Sequence, residues 1–180
     1  MPTNRIINFI SEILIQNLAD LHIFRKLARF INTNFSPKRD VLVQVKKHRM
    51  YANSLDRILA LCLWKFSILE NTEIKIIQKN LNKGMVIFDV GANIGYYTLI
   101  FASLVGEKGK VYAFEPDPSN YRLLVKNINA NNYKNIIPIQ KAVSNKCGRA
   151  NFYISEEHRG DHKLYDSGDM RKSIKVETIT

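Results

Sequence analysis

The stretch VIFDVGANIGYYTLIFA, Val86 to Ala102, constrains the fold more than any other part of the chain. It opens as an apolar run, Val86 to Val90, interrupted only by Asp89, the pattern of a strand buried on both faces. It then turns on Gly91 and Gly95 and leaves as a helix, expected over Ile94 to Val105. The rhythm continues downstream. GEKGK (Gly106 to Lys110) turns the chain into a second buried strand, VYAFE (Val111 to Glu115). Asp117 or Ser119 starts a helix carrying Tyr121, Leu124, Val125 and Ile128, and IIPIQ (Ile136 to Gln140) forms a third strand. Strand, helix, strand, helix, strand demands right-handed crossovers, so the expected fold is α/β with a parallel sheet and flanking helices.

A glycine turn at the carboxyl end of such a strand is a ligand position. A dinucleotide fingerprint needs G-x-G-x-x-G, but Asn93 and Tyr96 occupy the second and third glycine places. A phosphate loop needs a Gly-Lys-Ser/Thr ending, and none is present. An adenosine cofactor without phosphates fits better. Asp89 opposes phosphate but suits the sulfonium and ammonium of S-adenosylmethionine. Gly91 and Gly95 let the backbone approach closely. Glu115 ends the second strand, where two carboxylate oxygens match a ribose diol. Pro116 offers a flat apolar surface to an adenine, and Ala142 follows the third strand, where backbone groups can read the adenine edge.

The run FDVGANIGYYTLIFASLVGEKGKVYAFEPDPSNYRLLVKNINANN, with its motifs DVGANIGYYT and FEPDP, resembles the FkbM-type family of S-adenosylmethionine-dependent methyltransferases. The resemblance extends through NIIPIQKAVSNKCGRANFYI and GDHKLYD, covering roughly residues 72 to 180. It implies a Rossmann-like class I methyltransferase fold and methyl transfer to oxygen, commonly a hydroxyl of a sugar, glycan or natural product. It carries a cofactor-binding role onto Asp89, Gly91, Asn93, Gly95, Glu115 and Ala142. Tyr97 and Thr98 match the motif too, with packing and capping as the roles expected of them. The resemblance also implies a fourth strand ending in an acidic motif, then further strands. The chain instead ends within the alternating run SIKVETIT, read as an unpaired strand edge. The expectation is an N-terminal fragment cut after the third core strand, with much of the acceptor site absent and no catalytic residue assigned.

Two further segments carry candidate chemistry. The loop SEEHRGDHKLYD holds His158 and His162 four apart, but Gly160 between them argues against a helical metal site, and no metal is expected. His162 is a candidate general base, weighed against a solvated loop histidine. Residues 1–71 read as a helical extension preceding a partial domain over 72–180. Within the extension, Ile6, Ile10, Ile13, Leu14 and Leu18 share one face, and Arg25, Lys26 and Arg29 follow them. That segment has two open readings, a helix lying on an anionic membrane surface or a cap on the sheet domain. VLVQVKKHRMY (Val41 to Tyr51) reads as a strand or an irregular lead-in, and Ser54 and Thr72 as caps of two helices. The turn signal at Asn145 to Gly148 predicts a hairpin.

Composition sets the outer bounds. A net charge of +11 draws a protein toward anionic partners, but the basic residues are scattered and no aromatic-basic stacking motif supports nucleic-acid binding. Cys62 and Cys147 lack metal or disulfide spacing, so a reducing, cytoplasmic setting is expected, with peripheral membrane contact open. The expected partner is a small-molecule or glycan methyl acceptor. The alternative is a non-catalytic cofactor-binding or membrane-associated module.

Overall fold

A computed structural model describes residues 40–53, 72–155 and 162–180. The N-terminal amphipathic segment, the helix expected after Ser54, and His158 lie outside the described residues. The described chain runs β1 (Asp40–Val45), β2 (His48–Asn53), α1 (Thr72–Asn80), β3 (Val86–Val90), α2 (Tyr96–Val105) and β4 (Lys110–Phe114). It continues as α3 (Pro118–Ala130), β5 (Ile136–Ile139), β6 (Ala142–Val143), β7 (Gly148–Ile154) and β8 (Lys172–Ile179).

The three strands expected from the apolar runs form one parallel sheet in the order β3-β4-β5. Val86 stands opposite Lys110, and Val111 opposite Ile136. Both crossovers are helical, and the arrangement is the Rossmann-like α/β fold. Successive crossovers in one direction place α2 and α3 on the same face. There Leu99, Ala102 and Val105 of α2 meet Leu123, Leu124 and Ile128 of α3 over Val111 and Ala113. Each fully buried leucine here contributes about 1.5–3 kcal/mol.

The expectation that β3 is buried on both faces is corrected. Val86, Phe88 and Val90 are 54%, 65% and 61% exposed, while Ile87 faces the packed side. The two crossover helices share one face, so the apolar run of β3 is covered on that face by them and not on the other. Phe88 instead lies flat beside Tyr112 on the next strand, with ring centroids 5.3 Å apart.

Upstream, the segment left open between strand and lead-in is a hairpin, β1 with β2, closing at the pair Val45 and His48. Lys46 takes a positive φ of 51° at its turn, and Gln44 Nε2 donates to the Lys46 carbonyl at 2.9 Å. The hairpin is held by α3 in an unusual way. Asn127 Oδ1 accepts from Tyr51 N at 2.5 Å, and its Nδ2 donates to Tyr51 O at 3.1 Å. One turn later, Asn131 does the same for Arg49, at 2.9 and 2.7 Å. Four helical residues rise about 6 Å and two strand residues about 6.7 Å, so two side-chain amides can substitute for a neighbouring strand. Met50 and Ala52 then point into the core cluster of α2 and α3.

The last third corrects two expectations. Residues 145–148 do bend the chain, but β6 and β7 are not paired with each other. The sheet order is β6-β8-β7, with β8 parallel to β6 and antiparallel to β7. SIKVETIT is thus a central strand rather than an unpaired edge. Its inward residue Val176 packs with Ala142 and Phe152.

Candidate functional site

The site is built at the carboxyl ends of β3 and β4. After β3, Gly91 N and Ala92 N both donate to the Phe114 carbonyl at 2.9 Å, folding the turn across the end of β4. Alternate residues then take positive φ: Gly91 at 79°, Asn93 at 52° and Gly95 at 94°. Gly95 is required twice over, because a Cβ there would also lie 2.8 Å from Leu124 Cδ1. Asn93 tolerates the left-handed region better than most side chains, and its Oδ1 accepts from Ile94 N at 2.7 Å.

Glu115 is the electrostatic centre. It is buried at 4% exposure, and its two oxygens accept from Asn93 N at 2.8 Å and Asp117 N at 2.9 Å. Burial pushes its carboxyl up to about 7, against the lowering effect of those two N–H groups. The charge of Asp117 pushes the same way as burial, and a hydrogen bond from the Asn120 side chain opposes it. Asp117 caps α3 by accepting from Asn120 N at 2.8 Å, and Pro118 opens the helix. The acid is therefore held by the glycine turn on one side and by a capped helix start on the other.

A cavity of about 370 Å³ opens over this acid, within the range of small-molecule sites. Gly91, Asn93, Glu115 and Ala142 line it, together with Pro116. Asp89 and Gly95 do not line it. The Asp89 carboxylate instead accepts from Thr98 Oγ1 at 2.5 Å, and burial raises its pKa against that hydrogen bond. Thr98 is fully buried, and the Tyr97 hydroxyl donates to Glu73 on α1, so both serve packing.

Sequence reasoning missed part of the wall. Asn120, three residues after the cap, lines the cavity, and so do Phe152, Leu164 and Tyr165. Asn120 was legible as a polar residue on the first turn after FEPDP. The others come together through a long-range contact, the antiparallel bridge of Lys163 to Tyr153 on β7. His162, the candidate base, also lines the cavity, and its Nδ1 accepts from Ser155 N at 3.0 Å.

Such a site offers a buried acid for a diol, an apolar proline beside it, and main-chain groups at a tight turn. The model of the methyltransferase FkbM domain matches residues 89–180, a span that holds the whole cavity wall. The chain belongs to the FkbM methyltransferase family. S-adenosylmethionine is the cofactor of these enzymes, and the cavity's volume, its acid and its proline suit an adenosine.

The hexuronic acid methyltransferase AglP of Haloferax volcanii is 29% identical over 111 residues, covering 60% of this chain and 44% of that protein. Protein-L-isoaspartate O-methyltransferase 1 of Arabidopsis thaliana is 39% identical over 57 residues, covering 32% of this chain and 25% of that one. A solved S-adenosylmethionine-dependent methyltransferase from Aquifex aeolicus is 31% identical, with 37% of this chain and 36% of that chain covered and a TM-score of 0.36. The chain spans less than half the length of these curated relatives. Among the described residues no helix is long and apolar enough to cross a membrane.

Proposed function

We propose that this domain binds S-adenosylmethionine in the cavity over Glu115 and serves methyl transfer to an oxygen of a sugar, glycan or related small-molecule acceptor. The observation that carries the reading is Glu115 itself. Two backbone N–H groups orient its carboxyl at a cavity wall that also holds Pro116 and the glycine turn. In this reading Glu115 accepts from the ribose hydroxyls, Pro116 and Ala142 flank the adenine, and Gly91 and Asn93 border the methionine portion. Asp89, tied to Thr98, and Gly95, packed on Leu124, keep the turn in shape.

The cofactor supplies a methyl group on a sulfonium, an electrophile that needs an acceptor oxygen in line with the breaking bond. The chain's part is to hold the adenosine end rigidly and to exclude water from one side. The similarity to a hexuronic acid methyltransferase supports a sugar-type acceptor.

Isothermal titration of the 180-residue chain with S-adenosylhomocysteine tests the cofactor half. Binding that Glu115→Gln strongly weakens is the expected result. No uptake, or uptake indifferent to Glu115→Gln, overturns it. The acceptor half is tested by methyl transfer from labelled cofactor to a panel of uronic acids and neutral sugars, and transfer to neither class would sink it.

A further inference from the structure

His162 entered as a candidate proton acceptor, and its surroundings say otherwise. Ser155 N donates to His162 Nδ1 at 3.0 Å. A backbone N–H has only one role, so the ring nitrogen facing it must present a lone pair. A neutral imidazole with its lone pair at Nδ1 carries its hydrogen at Nε2. The lone pair that a general base would use is therefore committed to the main chain.

The same contact secures a segment. Lys163 and Tyr153 exchange backbone hydrogen bonds, Tyr153 N to Lys163 O at 2.8 Å and Lys163 N to Tyr153 O at 3.0 Å. With Ser155, they fasten residues 162–165 alongside the end of β7. The His162 ring also stands edge-on to Phe152, centroids 5.5 Å apart at 71°, and Phe152 is buried in the β6-β8-β7 sheet. The strap so fastened supplies His162, Lys163, Leu164 and Tyr165 to the wall of the cavity that Glu115 and Pro116 also line.

The geometry points to His162 as a positioning residue that pins this strap through Nδ1 and so completes the cofactor cavity, a role that rests on the cofactor reading above. It touches no reacting atom in this role. Its value lies in where it holds Leu164 and Tyr165.

The side chains of asparagine and glutamine separate the two roles. Asparagine places an amide oxygen near the position of Nδ1, whereas glutamine reaches the position of Nε2. His162→Asn, His162→Gln and His162→Ala are made in the full chain and read in two ways. Hydrogen exchange reports the Ser155 and Lys163 amides, and titration reports affinity for S-adenosylhomocysteine. His162→Asn should keep both near wild type. Alanine and glutamine should speed exchange of the two amides and weaken binding by about 5- to 10-fold, the worth of one hydrogen bond and the ordering that it supports. Asparagine behaving like alanine overturns the pin, as does glutamine alone restoring binding. Faster exchange in the alanine variant with unchanged affinity overturns the strap's place in the cavity. If the wild-type chain takes up no cofactor, the proposed function falls, and the exchange pattern still decides whether Nδ1 holds the strap.

Discussion

Glu115 and His48 are both buried ionisable groups, and they lie at opposite ends of α3. Glu115 stands just before the helix starts, at the cavity. His48 meets Tyr133 just after the helix ends, with Nε2 2.8 Å from the hydroxyl. Burial shifts each toward its neutral form, Glu115 up to about 7 and His48 down to about 4. Their partners differ. His48 is matched to the hydroxyl of Tyr133, a side chain that ties β2 to the segment after α3. Glu115 is held by backbone N–H groups that fix its direction and leave it lining open space. A group that finishes the fold and a group that faces a cavity can carry the same burial penalty, and the geometry of their partners tells them apart.

The largest effect expected at the hairpin end comes from Asn127, which is fully buried and also donates to Ile94 O at 2.8 Å beside the glycine turn. Asn127→Ala should cost about 3 kcal/mol in urea unfolding, since three hydrogen bonds go and backbone groups of Tyr51 and Ile94 lose a partner. A cost below about 1 kcal/mol would mean that the amides merely decorate β2.

At the cavity end, Glu115→Gln should weaken S-adenosylhomocysteine binding about 100-fold, or roughly 2.7 kcal/mol, as expected for charge-assisted hydrogen bonds lost. Two effects oppose each other in the midpoint of unfolding at neutral pH: the substitution removes a carboxylate that burial disfavours, and it turns an NH2 group toward one of the two N–H donors.

The contrast sharpens with pH. For Glu115 the folded state holds its proton up to about 7 while the unfolded chain releases it near 4.5, so stability drops as pH climbs between those values. For His48 the unfolded chain takes up a proton below about 6.5 and the folded state only near 4, so stability rises with pH across that interval. The two slopes oppose each other where the intervals overlap. Glu115→Gln should expose the rise and His48→Gln the fall, each about 2 kcal/mol between pH 4.5 and 6.5 in denaturant titrations. Variants that share the wild-type slope would break the pairing.

The smallest effect belongs to Asp40, which accepts from Arg122 at 2.8 and 2.9 Å and from Lys126 at 2.8 Å. Arg122 keeps its carboxyl well below the usual carboxylate range. Arg122 is more than half exposed, so Asp40→Asn should cost less than about 1 kcal/mol and lose even that in high salt.

Much of the parallel sheet was legible because its signals are local. Asp117 as a cap, the apolar runs, and the loss of the third glycine at Tyr96 each need only a few neighbouring residues. Gly91, Glu115 and Ala142 were placed at one end of that sheet by counting strand ends, Asn93 by the resemblance of DVGANIGYYT, and the four do share a cavity wall. What escaped depends on distant pairing. Nothing near Lys46 and Lys47 announces a turn, since neither is glycine or asparagine. The amide groups of Asn127 and Asn131 look like ordinary polar positions until β2 is laid beside them. The exposure of Phe88 could not be read from β3 alone, because an apolar run reports hydrophobicity and not how many faces are covered. Asp89 was placed by its position at a strand end, but its direction is set by Thr98, nine residues on and on a different element.

The position of β8 between β6 and β7 has a consequence for the order of events during synthesis. Ala142 to Ile154 leave the ribosome well before Lys172 to Ile179, the strand that lies between β6 and β7 in the finished sheet. The β3-β4-β5 core can close from contacts made largely within its own crossovers, whereas the second sheet must wait for its central strand. The strap that walls the cavity is fastened to β7, so the cavity is completed last. A nascent chain stalled before β8 would carry the acid and the glycine turn yet hold the rest of the cavity wall on an incomplete sheet, with strand edges exposed to chaperones.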